Sequence, residues 1–292
     1  WQGFRFAMMH LEEYDPEVPR TLSPYDHWIM ARTGEAVRRV RNALDQYRFG
    51  EAAAEIYAFT WDELCDWYIE FSKGTLYGED APEAAKQGAR HTLWVVFQSL
   101  ARMFHPIMPF LSEEIWQRMP HTTGSIVVAP YPKAANYPVD PDALAKVATT
   151  QGVITAIRRL RAEMEISPKL PLGLTAADIQ AVEGHLDALR DLASITTVEG
   201  GLCTGPSSTF VVNGQTYKVP LEGVVDIDAE RERLNKVIGK VEKDLAFLAK
   251  KLKNPNFTDR APAHVVEDIR QKAEAAEVRL VQLNAAREGL AQ

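Results

Sequence analysis

The stretch IDAERERLNKVIGKVEKDLAFLAKKL, Ile227–Leu252, followed after a short break by VEDIRQKAEAAEVRLVQLNAAREGL, residues 266–290, decides how this chain ends. In the first segment the core positions step by four and three through Ile227, Arg231, Leu234, Ile238, Val241, Leu245, Leu248 and Leu252. In the second they run Val266, Ile269, Ala273, Ala276, Leu280, Leu283, Arg287 and Leu290. An average step of 3.5 residues keeps one seam facing a partner helix, and only two of these sixteen positions are charged. Asn254, Pro255, Asn256 and Pro262 interrupt the pattern between two segments of similar length. A break of that kind predicts an antiparallel coiled-coil hairpin and argues against a parallel intermolecular coil. Its free end is the connection 253–261, where Lys250, Lys251, Lys253 and Arg260 gather with Phe257. That basic tip suits a phosphate-rich surface but is too generic to read sequence. Phe257 either stacks on an exposed base or seals the end of the seam, and sealing is the favoured role.

Two further zones precede this one. Residues 1–140 contain all six tryptophans and read as an antiparallel helical bundle. Ser23, Pro24 and Asp26 form a helix start, with the apolar stripe Ile29, Val37, Val40, Leu44 and Tyr47 behind it. A second helix from about Phe49 has one apolar face through Ala53, Ile56, Leu64, Trp67 and Phe71 and another through Tyr57, Trp61, Cys65 and Tyr68, which predicts burial on most sides. A third helix follows Pro82 and should stop at His105, because Pro106 disfavours helix in the residue before it, and Pro109 opens a fourth. Residues 141–225 change character: a helix through Val153, Ile157, Leu160 and Met164, then short β-like runs near 172–175, 195–198, 210–212 and 217–221, with a helix near 179–192 among them. Asn213-Gly214 is a hairpin-turn signal. The predicted architecture is therefore mainly α: helical bundle (1–140), small α+β domain (141–225) and coiled-coil arm (226–292).

Composition limits what this fold can do. No apolar run has the length of a membrane span, and no signal peptide opens the chain, so a cytoplasmic protein is expected. Trp1, Phe4, Met8 and Leu11 already stand at helical spacing, as if a longer protein had been trimmed. Cys65 and Cys203 are too few for a disulfide framework or zinc cluster, and both read as small buried hydrophobes. The net charge of −7 weakly opposes nucleic-acid binding, yet residues 231–260 hold nine basic and four acidic side chains. Glycine-rich phosphate loops, HExxH, paired cysteines and GxSxG are all missing from the sequence. Ser72-Lys73-Gly74-Thr75 reads as a helix C-terminus with a glycine stop. His105 reads as a helix-terminal residue, and the adjacent pairs Glu12-Glu13 and Glu113-Glu114 point different ways on their helices. Candidate surfaces remain. Arg38, Arg41 and Arg48, at intervals of three and seven, should share one helical face opposite the core stripe, and on the residues alone a solvated face is the simpler reading of it. Arg158, Arg159 and Arg161 form a second cluster, and Trp61, Trp67 and Tyr68 could stack on unpaired bases. For Trp67 the core is the simpler reading.

The stretch FGEAAAEIYAFTWDELCDWYIE, residues 49–70, with HPIMPFLSEEIWQ, residues 105–117, closely resembles the anticodon-binding bundle of the class I tRNA synthetases for branched aliphatic amino acids, in its valyl version. The resemblance continues through IRRLRAEMEISP at 157–168 and into KLKNPNFTDRAPAHVVE at 251–267, which is similar to the turn of the valyl enzymes' coiled-coil arm. The isoleucyl and leucyl relatives lack that tail. The resemblance implies tRNA(Val) as partner, with no DNA or membrane. It also implies a catalytic domain elsewhere in the same protein, carrying HIGH and KMSKS motifs with ATP and Mg, and neither motif occurs here. This stretch would then supply tRNA binding and no chemistry, without a cofactor or metal of its own. Leading tRNA contacts are Arg38, Arg41, Arg48 and Trp61 on the bundle and Lys250, Lys251, Lys253, Phe257 and Arg260 on the arm. The same region of an isoleucyl or leucyl relative is the alternative within the class, disfavoured by the tail, and a coiled-coil module that docks a protein partner is the competing reading from another class.

Overall fold

The computed structural model describes residues 1–258 and 262–290. The chain divides into two compact units, Trp1–Gln151 and Gly152–Gln292, and each is described by itself.

The first unit is helical. Its elements are α1 (Gln2–Leu11), α2 (Pro24–Asp45), α3 (Phe49–Ala58), a π-helical segment (Phe59–Tyr68), α4 (Ile69–Tyr77), α5 (Glu83–Phe104) and α6 (Pro109–Arg118). The start of α2 is fixed by a capping box: Ser23 Oγ accepts from the Asp26 N–H, and Asp26 Oδ2 accepts from the Ser23 N–H at 2.7 Å. Proline boundaries fall where expected, since α5 follows Pro82 and ends before His105, while Pro109 is the first residue of α6. The core is built from Phe4 and Leu11 of α1, Ile29, Val37 and Val40 of α2, Ile56, Leu64 and Tyr68 from the 49–68 stretch, and Leu93, Val96 and Met103 of α5.

That core also buries polar groups, and each needs partners once water is gone. The Tyr68 hydroxyl donates to Asp26 Oδ1 at 2.6 Å, tying the π-helical segment to the start of α2. Burial, followed by the negative charge of Asp26, pushes the Tyr68 phenol well above its ordinary value. Arg90, buried on α5, pairs with Glu83 at 2.6 Å and with Glu13. Tyr14 and His91 share a 2.8 Å hydrogen bond, and burial lowers His91 to about 4, which keeps the imidazole neutral.

Helix α7 (Pro141–Glu163) spans the residues at which the units divide. In the second unit a four-stranded sheet has the order β2-β1-β4-β3, from β1 (Leu172–Ala176), β2 (Ile195–Gly200), β3 (Ser207–Val212) and β4 (Gln215–Pro220). The β1–β2 pair is parallel and bridged by α8 (Gln180–Glu183) and α9 (Leu186–Ala193), because parallel neighbours need a crossover. The other pairs are antiparallel. Asn213 and Gly214 turn β3 into β4 with φ of 49° and 77°, the left-handed pair that a two-residue hairpin of type I′ demands. Leu172, Leu174, Ala176, Ile195, Tyr217 and Val219 are buried, as are Val153, Ile157 and Leu160 of α7.

The chain closes with α10 (Ile227–Leu252), the single turn α11 (Pro255–Thr258) and α12 (Ala263–Gly289). Helices α10 and α12 pack together, and all sixteen seam positions are buried or half-buried. The two seam arginines lie at the root: Arg231 Nη2 donates to the Leu290 carbonyl at 3.0 Å, and Arg287 Nη1 to Asn235 Oδ1 at 3.3 Å. These bonds fix an antiparallel register. Gly289 seats the root against the sheet, since a Cβ there would lie 2.6 Å from the Ser207 carbonyl oxygen.

Candidate nucleic-acid interface

Arg38 and Arg41 lie on the exposed side of α2, but Arg48 does not share their helix. Helix α2 ends at Asp45, Tyr47 turns left-handed with φ 57°, and Arg48 caps the start of α3. Intervals of three and seven place residues on one face only while a helix continues. Here the chain must reverse so that α3 can bury Ala52 and Ile56.

Each of these arginines also has an acidic neighbour. Arg38 approaches Glu35 at 3.9 Å, Arg41 sits 3.3 Å from Asp45, and Arg48 pairs with Glu51 at 2.6 Å. The Arg41 guanidinium lies 5.7 Å from the ring centre of half-buried Tyr131, whose phenol is pushed up to about 12 by its burial. Next to them Arg32 grips Glu63 with two hydrogen bonds of 2.6 and 2.7 Å, and Arg39 pairs with Glu35 and Glu55. Locally neutralised cations attract a polyanion weakly, so the arginine face alone is a poor phosphate track.

Aromatic residues supply what the arginines do not. Trp61 is 56% exposed and Tyr57 66%, and their rings lie nearly parallel, 8° apart in plane with centroids separated by 6.5 Å. Gly50, Ala53, Ala54, Tyr57 and Trp61 recur at helical steps and are all exposed, so one side of α3 is an open strip of small residues ending in two aromatic rings. Exposed Tyr47 and Phe49 sit at its other end, 6.3 Å apart. The expected burial on most sides therefore fails for Ala53, Tyr57 and Trp61. Ala53 and Tyr57 fall on the exposed side of α3, which buries only Ala52 and Ile56. For Trp61 the reason is the π-helical winding of Phe59–Tyr68, which carries extra residues per turn and brings Phe59, Leu64 and Tyr68 to the core while Trp61 faces out. The inner edge of Trp61 borders an apolar cavity of about 540 Å³ with Leu64, Cys65 and Phe97. Tyr68 is buried, and Trp67 is half-buried against Phe71 with centroids 5.5 Å apart, so neither offers a free face comparable to that of Trp61.

Other sequence candidates have structural roles. Arg161 is 4% exposed, and its guanidinium donates to the carbonyls of Ser167 (2.7 Å), Leu170 (2.8 Å) and Ala193 (2.9 Å). Arg158 donates to the Leu192 carbonyl, and Arg159 pairs with Glu163. Helix α4 continues through Gly74 to Tyr77 and gives way at Gly78, four residues beyond the expected stop. His105 ends α5, with Nδ1 2.9 Å from Ser112 Oγ. Glu113 accepts from Gln117, the Ser125 hydroxyl and the Ile126 N–H; the Gln117 and Ser125 bonds hold its carboxyl below the usual range. Cys65 and Cys203 are free and half-buried.

On the arm, Lys250 and Lys253 are exposed near the end of α10, and the Lys251 ammonium sits 4.7 Å from the ring centre of half-buried Phe257. Arg260 lies outside the described residues. A longer feature escaped the sequence reading. Arg233, Lys236, Lys240, Lys243, Phe247 and Lys250 recur by three and four along α10, on the side away from the seam, and all are exposed. At 1.5 Å per residue the row is about 25 Å long. Its signal was present in the sequence as a second heptad row, hidden because the reading followed only the apolar one. Arg233 pairs with Glu230 and Lys236 with Glu232, whereas among the described residues no ion pair joins Lys240, Lys243 or Lys250.

Among the described residues no helix is long and apolar enough to cross a membrane. Residues 26–177 match the family described as the anticodon-binding domain of tRNA ligase, and residues 226–291 match the valyl tRNA synthetase tRNA binding arm. Similar curated proteins include the valine--tRNA ligases of Geobacter sulfurreducens, 38% identical over 289 residues (93% of this chain, 32% of the relative), and Geobacillus stearothermophilus, 36% over 303 residues (97% and 34%). That of Bacillus subtilis is 36% identical over 284 residues (93% and 32%). The chain spans about a third of the length of these relatives.

Proposed function

Because this chain belongs to the anticodon-binding family of tRNA ligases, in its valyl form, we propose that it supplies the tRNA-gripping part of a valine--tRNA ligase acting in the cytoplasm. The observation that carries this reading is the exposed aromatic strip of Tyr57 and Trp61 on the bundle of a chain that also bears the valyl arm. Unpaired bases of an anticodon loop need flat, dry surfaces on which to stack, and rings held on a helix provide them without ordering cost at the moment of binding. Arg38, Arg41 and Arg48 then exchange their acidic neighbours for stem phosphates, and the arm's lysines, Phe257 and Arg260 meet the outer corner of the same tRNA.

Attachment of valine to tRNA(Val) belongs to a catalytic domain of the same protein outside these 292 residues, where ATP and Mg²⁺ would bind. This chain orients the tRNA for that step through the anticodon and the corner. The test is titration of the chain against tRNA(Val) transcripts with native and substituted anticodons at two salt concentrations. Saturable, salt-sensitive binding that weakens on anticodon substitution is expected. Indifference to tRNA at low salt overturns the reading and leaves a protein-docking module. Valine-dependent pyrophosphate exchange by the purified chain would overturn the assignment of chemistry to another domain.

A further inference from the structure

We propose that the arm holds RNA along the outer side of α10, with Phe247 stacking on one unpaired base and Lys240, Lys243 and Lys250 holding the flanking phosphates. The inference rests on the tRNA-binding reading above and adds to it a track and a base contact that lie away from the tip.

Phe247 is 67% exposed on the side of α10 opposite the seam. A phenyl ring there contributes nothing to the hairpin's apolar interface, which Leu245 and Leu248 already serve. Lys243 stands four residues before it and Lys250 three residues after, each about 5 Å along the helix axis. Both are exposed, and neither has an ion pair among the described residues, in contrast to the arginines of the bundle. Between residues 233 and 253 the chain has seven basic side chains against Glu242 and Asp244. Helix α12 does not share this character: of its exposed cations, Arg270 and Lys272 pair with Glu267 and Asp268, and Arg279 follows Glu274 and Glu277 on a surface that also exposes the apolar Val278 and Val281.

Positive charge is thus concentrated on one of the two helices, on one side, around a single aromatic ring. Free ammonium groups release counterions when they meet phosphates, and an aromatic face takes any base without regard to its sequence. A protein partner would more naturally use both exposed apolar residues of α12, and a duplex would offer the ring no base to stack upon. The occupant that fits both halves of the row is RNA in which a base is turned out of its helix, as at a loop.

The experiment titrates the 292-residue chain with tRNA(Val) transcript over a range of salt. Phe247→Leu should weaken binding about 5- to 150-fold at every salt concentration while the salt slope stays unchanged, because no charge is lost. Phe247→Trp should restore affinity. Joint replacement of Lys240, Lys243 and Lys250 by Gln should lower the slope of log affinity against log salt by about two to three. Val281→Ser on α12 is the control and should change neither quantity. Circular dichroism should show all variants folded, since the substituted residues are exposed. If the unaltered chain binds tRNA but Phe247→Leu binds with unchanged affinity, or the lysine variant keeps the full salt slope, the track is wrong and the broader reading stands. If the unaltered chain fails to bind tRNA, both fall together.

Discussion

Replacement of Arg161 by Met tests whether the arginine cluster at 158–161 is architecture or an RNA contact. Three carbonyls, from Ser167, Leu170 and Ala193, receive its N–H groups at 2.7–2.9 Å, and Arg161 is almost fully buried. Burial lowers its pKa, but a guanidinium starts so high that it stays charged. Ala193 is the last residue of α9, so the cation also faces the negative end of that helix. Methionine fills much of the same volume but donates nothing. Each abandoned carbonyl costs about 1–3 kcal/mol, and partial rescue by water brings the expected total to about 3–5 kcal/mol. That is a large share of the roughly 5–15 kcal/mol by which a domain is stable.

The chain offers a clean assay. All six tryptophans lie in the first unit, whereas Arg161 and its three partners lie in the second. Urea unfolding followed by tryptophan fluorescence should therefore be nearly unchanged in Arg161→Met. Circular dichroism, which sees both units, should show an earlier transition, equivalent to about 10–15 °C in Tm. Arg161→Lys should recover little, because one ammonium cannot reach three diverging carbonyls. Loss of stability below 1 kcal/mol together with weakened tRNA binding would refute the argument and return Arg161 to the surface cluster.

Gly289→Ala should destabilise the root of the arm by about 1–3 kcal/mol, because its Cβ would meet the Ser207 carbonyl at 2.6 Å; protease sensitivity within α12 that does not rise would count against that packing. Trp61→Ala should weaken tRNA(Val) binding by about 1–3 kcal/mol while thermal stability changes much less, since more than half of the ring is exposed; the reverse pattern would assign Trp61 to the core. His91 should show in the pH dependence. Its folded pKa of about 4 lies below the unfolded 6.5, so the unfolded chain takes up the proton first and stability present above pH 6.5 is lost as pH falls toward 4. His91→Gln should remove about 2 kcal/mol of that loss, allowing for the screening of its half-buried ring, and a proton NMR titration placing His91 above 6 would contradict it.

How much of this was legible in the sequence follows from which interactions are local. Ser23 with Asp26, Pro82, Pro106 and Pro109, and Asn213-Gly214 act through the backbone geometry of a few neighbouring residues, so they set boundaries and turns without reference to the rest of the molecule. The seam of the arm was equally legible, because sixteen core positions in two matched rows, fourteen of them apolar, specify their own partner. Family membership was carried by residues 49–70 and 251–267, and the matches at 26–177 and 226–291 bear it out.

The surfaces were not legible in the same way. A periodic row of arginines looks continuous until the chain reverses, and the break before Arg48 arises because α3 must pack back on α2. Trp61 and Tyr68 both read as aromatic positions of one face. The π-helical winding between Phe59 and Tyr68 turns one outward and buries the other, and its stability comes from contacts such as Tyr68 with Asp26, 42 residues away in the chain. Arg161 looked like its exposed neighbours until three distant carbonyls converged on it. The sequence alone determined periodicity, turns and lineage, which depend on near neighbours. Which polar and aromatic side chains face solvent depended on long-range packing, and only the tertiary structure decided it.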